Sequence, residues 1–169
     1  MLGALPGGEH LITPTTSYAN AGGTGDRTGL IIVTANFTPN TGNVDRSVDG
    51  SLTGNSSGGF LVGNGTAATG LTVTWDFTGY SERKYIDEVT CKCVSAAGQG
   101  VSGKFQGSIN GVSFYDVSSI FAWDSNAKVV SCPSMDPDGV NYLRFIGTSG
   151  SFTSNYWLEN EFKIASGAL

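Results

Sequence analysis

NYLRFIGTSGSFTSNYWLENEFKI, residues 141–164, is the stretch whose reading decides the fold. Its two ends, YLRFI (142–146) and NEFKI (160–164), are short runs with the aromatic and β-branched residues that suit a pleated, half-buried surface. The Gly/Ser/Thr-rich segment between them carries Tyr156 and Trp157. A polar loop that presents aromatics between two half-buried strands suits recognition of a ligand or partner better than bond-making chemistry.

Working outward, the same kind of run recurs. TGLIIVTA (28–35), LTVTWDF (71–77), YIDEVTCKCV (85–94), KFQGSI (104–109), SFYDV (113–117) and KVVSC (128–132) are separated by turn-forming residues. In LTVTWDF, Leu71, Val73, Trp75 and Phe77 alternate with Thr72, Thr74 and Asp76, so one face is buried and the other wet. Asn110-Gly111 is the strongest hairpin signal in the chain. With the two runs at the C-terminal end, this spacing predicts a two-sheet antiparallel β-sandwich or jelly roll. Residues 38–64 and 135–139 are expected to be loops, the first long enough to carry function.

Composition narrows the function. At 169 residues the chain is one domain with room for a real core. Its net charge of −5 with scattered Lys and Arg argues against nucleic acid, which needs clustered cations. No apolar run reaches the length of a membrane span, about 20 residues. The N-terminal residues 1–16 read as an extended arm, without the basic start and apolar core of a secretion signal, ahead of a folded unit at 17–169. A loop-rich β-domain without an export signal fits a phage structural protein released by lysis; a trimmed piece of an exported protein fits equally.

Catalysis is not expected. The only histidine, His10, lies in the arm, so no Ser-His-Asp set is available in the core. Glu159 and Glu161 share a strand face and read as solvated charges, not as a glycosidase pair. NAGGTGDRTG (20–29) lacks the Lys-Ser/Thr ending of a phosphate loop and reads as a turn. Cys91, Cys93 and Cys132 are an odd set. They are either buried thiols, or one bridge to Cys132 with a thiol left over, or links between subunits. For binding, the candidates are Trp123 and Tyr156 as sugar-stacking rings, with Arg83 and Asp124 as polar partners; Trp123 is equally suited to packing.

Six segments in order resemble the discoidin, or coagulation-factor type C, group of galactose-binding-like jelly rolls. They are SYANAGGTGDRTGLIIVT (17–34), VDGSLTGNSSGGF (48–60), LTVTWDF, YIDEVTCKC (85–93), KFQGSINGVSFYDV (104–117) and YLRFIGTSGSFTSNYWLENEFKI (142–164). The likeness is to versions found in phage and bacterial surface proteins. It implies a binding module with ligand loops at one end of the sandwich, and a Trp157 that packs inward. It also implies a structural calcium near the first long loop, matched here by Asp49 and Glu161, with Asp45 as a further oxygen donor. The competing reading of Asp49 is an Asx-turn before Gly50. The expected function is therefore a non-enzymatic virion protein (decoration, fibre or tail accessory) that self-associates, attaches to other virion proteins and contacts host glycans. The alternative is a lectin-like carbohydrate-binding module, extracellular or at the cell surface.

Overall fold

The computed structural model describes residues 25–51, 58–93, 100–153 and 157–164. The arm at 1–16, and Tyr156, lie outside the described residues. Among the described residues, nine strands form two antiparallel sheets: β1 (Ile32–Ala35), β2 (Thr72–Asp76), β3 (Ile86–Cys93), β4 (Ser102–Ser108), β5 (Tyr115–Asp116), β6 (Phe121–Ala122), β7 (Ala127–Ser131), β8 (Tyr142–Ser149) and β9 (Trp157–Ile164). The larger sheet runs β1-β2-β8-β4-β5, with β6 also on β4; the smaller runs β7-β3-β9. No helix among the described residues is long and apolar enough to cross a membrane.

The alternation in LTVTWDF sets the inner face: Leu71, Val73, Trp75 and Phe77 are all buried, while Thr72, Thr74 and Asp76 are half-exposed. Trp75 pairs in register with Val33 on one side and Leu143 on the other. Its ring meets Phe105, Trp157 and Phe162 with centroids 6.2, 6.0 and 5.9 Å apart. Trp75 Nε1 donates to the buried Ser47 hydroxyl at 3.0 Å, so the indole is both apolar filler and satisfied donor.

Two local expectations change. Asn110-Gly111 is not a two-residue hairpin, because residues 109–114 connect β4 to a two-residue β5. Asn110 Oδ1 instead accepts from the Val112 and Ser113 amides, both at 2.9 Å, an Asx-type turn that widens the loop. The first long loop is also more structured than expected, with a 3-10 turn at Val44–Val48 that buries Val44, Ser47 and Val48.

Strand directions sort the connections into two ends. The chain leaves the sandwich at one end after Ala35, Cys93, Ala122 and Ser149, and at the other after Asp76, Ser108 and Ser131.

Candidate functional site

Of the residues singled out for binding, Tyr156 lies outside the described residues, and Trp123 and Asp124 do not come together with Arg83. Trp123 and Asp124 follow β6 at the first end. Arg83 lies at the opposite end, 3.6 Å from Asp138. Trp123 is a core residue, not a sugar platform: it is 2% exposed and meets Trp157 edge-on at 4.6 Å and Phe145 at 6.1 Å. Burial of its ring between the sheets outweighs its polar atom, since Trp123 Nε1 has no hydrogen-bond partner among the described residues. Asp124 is exposed and held by Lys128 Nζ at 2.9 Å, a bond that lowers its pKa.

The thiols are buried too. Cys132 donates its backbone N–H to Asp87, whereas Cys91 pairs with Lys128 further along β3, so the inferred bridge between them lacks the required approach. Burial also removes them as links between subunits. It raises the Cys91 thiol pKa well above its ordinary value and pushes Cys132 up to about 12. Cys91 and Cys132 are therefore expected to react with a thiol reagent about 100-fold more slowly in the native protein than in denaturant. Mass spectrometry of alkylated protein checks this, and rapid native labelling would contradict the burial.

Among the described residues, the end opposite Trp123 carries the tyrosines. The four tyrosines among the described residues, Tyr80, Tyr85, Tyr115 and Tyr142, all lie there, half-buried. Tyr80, Tyr85 and Tyr115 rest on the core, and Tyr142 packs beside the backbone of Gly111. Lys84 Nζ sits over the Tyr80 ring, 4.6 Å from its centroid. The Tyr115 hydroxyl accepts from the Asp136 amide at 3.0 Å. Burial raises its pKa, and nearby Arg83 pulls the other way. The Lys84–Val140 backbone bridge brings the segments 77–85 and 132–141 side by side. Arg83 donors, Asp136 and Asp138 acceptors and phenolic rings thus share one rim. Sequence reading found only Arg83 of this group, because Asp136, Asp138, Tyr115 and Tyr142 come from segments more than 30 residues away in the chain.

The residues matched to calcium each hold a hydrogen-bond partner of their own. Asp45 Oδ2 accepts from Asn43 Nδ2 at 2.9 Å, Asp49 Oδ1 accepts from the Ser51 amide at 2.8 Å, and Glu161 takes Lys92 Nζ at 2.5 Å. Asp49 is thus in an Asx-turn, the competing reading of that position. Burial raises its pKa. No group of three His, Cys, Asp or Glu side chains suited to a metal occurs among the described residues.

Glu159, read from sequence as a solvated charge, is 2% exposed. It ion-pairs with the equally buried Arg27, and its Oε2 accepts from the Gly50 amide at 2.9 Å. Gly50 has φ +78, and a Cβ there would lie 2.6 Å from the Gly25 carbonyl carbon, so glycine permits the close crossing of loop and turn.

No sequence-family profile matches the chain, and no curated protein sequence matches it. Solved structures do. The family 32 carbohydrate-binding module of Clostridium perfringens NanJ, in complex with galactose, aligns with a TM-score of 0.57 at 13% identity, covering 82% of this chain and 97% of that one. A chitosan-binding module from a Paenibacillus chitosanase/glucanase gives 0.57 at 16% identity, covering 81% and 97%. CBM62 from Clostridium thermocellum gives 0.53 at 23% identity, covering 82% and 96%. With the sheet order and the paired ends described above, these likenesses establish the fold as a two-sheet antiparallel β-sandwich shared with solved carbohydrate-binding modules.

Proposed function

We propose that this chain is a non-catalytic glycan-binding module that works outside the cell or at its surface and takes its sugar at the tyrosine-lined end. The observation that carries this is the rim itself. The half-buried Tyr115 ring feels the charge of Arg83, and Arg83 with Asp138 offers donors and acceptors to sugar hydroxyls at the same end. The fold supports the same reading, since one structural neighbour is described as bound to galactose and another as chitosan-binding. Attachment to a virion and self-association have no comparable observation in their favour. The alternative drawn from the sequence is therefore the better one.

A glycan array identifies the sugar, and calorimetry then measures the variants. Arg83→Ala is expected to weaken binding about 10-fold or more, the loss of a charged hydrogen bond, without lowering the melting temperature. An array with no binder would sink the function. Wild-type affinity in Arg83→Ala would sink its placement.

A further inference from the structure

We propose that Arg27, with Glu159, is this chain's built-in substitute for a metal ion: together they tie the first long loop and the N-terminal turn to the last strand, so the junction needs no calcium. The guanidinium joins the N-terminal turn to the last strand, and the Arg27 backbone and Glu159 carry the tie to the first long loop. Nε donates to the Gly25 carbonyl at 2.9 Å and Nη2 donates to the Asn160 carbonyl at 3.0 Å, while the ion pair to Glu159 completes the fork. Its backbone N–H donates to Val48 at 2.9 Å, which fixes the loop against the turn. Glu159 carries the tie onward to the Gly50 amide. Phe162 closes the apolar side, with its ring centroid 5.7 Å from the guanidinium carbon.

The acceptors around Arg27 are a carboxylate and two backbone carbonyls, the hard oxygens that calcium also takes. Here they face a planar cation whose five donors match them in direction as well as charge. A divalent ion in the same position would have to expel the side chain, and one beside it would be repelled across a buried, poorly screened gap. The carboxylates that resemblance assigns to an ion are turned to other donors: Glu161 to Lys92, Asp45 to Asn43 and Asp49 to the Ser51 amide. Burial lowers the Arg27 pKa to about 10, which leaves the group charged at neutral pH.

The test uses the whole chain. Thermal unfolding in millimolar calcium chloride and in excess EDTA is expected to give the same melting temperature, and calorimetric titration with calcium to give no binding heat. A calcium-dependent rise in the wild-type melting temperature, or a binding isotherm, would overturn the proposal. Arg27→Ala is expected to melt roughly 10 °C lower, and unchanged melting would also overturn it. If Arg27→Ala does not fold, Arg27→Lys decides. It keeps the charge but loses the fork, so it should melt below wild type and remain indifferent to calcium; melting at the wild-type temperature would refute the forked tie.

Discussion

Trp157→Ala is expected to cost about 3–5 kcal/mol of folding stability, against roughly 5–15 kcal/mol for a whole domain. Trp157 opens β9 and is 2% exposed. Its ring stacks on Phe60 at 5.3 Å and meets Trp123 and Phe145 edge-on at 4.6 and 5.3 Å. These neighbours come from the first long loop, from the β6 connection and from β8, so one side chain joins both sheets to the loop between them. Its backbone does the same, exchanging two 2.9 Å hydrogen bonds with Phe60. Truncation would open a cavity among rings that cannot all collapse into it, and would strand Asn160 Oδ1, which accepts from Trp157 Nε1 at 3.3 Å. Urea unfolding should show a lower midpoint at unchanged slope. Near-wild-type stability with lost glycan binding would instead make this ring a sugar platform, contrary to its place in the structure.

The fold was legible where the period of the sequence matched the burial. LTVTWDF declared its inner face, and eight of nine strands stood out because apolar or β-branched runs met turn residues on both sides. The ninth, Phe121–Ala122, is too short to alternate, and its role is visible only through its pairing with Ser102 and Gly103. Trp123 was therefore undecidable from sequence: a Trp beside Asp and Ser looks equally like a rim or a plug. The tie at Arg27 was illegible for a different reason. An arginine in a glycine-rich turn carries no signal of burial, and its partner lies at Glu159, on a strand whose inner positions interrupt simple alternation. In β9, Trp157, Leu158, Glu159 and Asn160 are buried in succession, because a register shift against β3 puts an extra residue into this stretch and the 3-10 turn packs against the strand. Glu159 and Glu161 looked equivalent by period two. The covering turn separates them, leaving one on a buried arginine and the other on Lys92.

Glu159→Ala is expected to be as damaging as loss of the tryptophan, about 3–5 kcal/mol, because removing one member of a buried ion pair leaves the other charge without compensation. Arg27 cannot escape by losing its proton, since burial lowers its pKa only to about 10. Nor can it reach water without breaking its bonds to Gly25 and Asn160. The Gly50 amide would lose its acceptor at the same time. Replacing both partners, as Arg27→Met with Glu159→Leu, removes the two desolvated charges together and should recover much of the loss, leaving the Gly50 amide as the main residual cost. A double-mutant cycle in urea with Arg27→Met and Glu159→Leu separates these contributions: the expected coupling is roughly 1–3 kcal/mol, with the double variant more stable than Glu159→Leu alone. Additive losses would mean that Arg27 and Glu159 hold the junction independently. The contacts rule against that outcome, because Glu159 reaches the long loop through one oxygen and the arginine through the other.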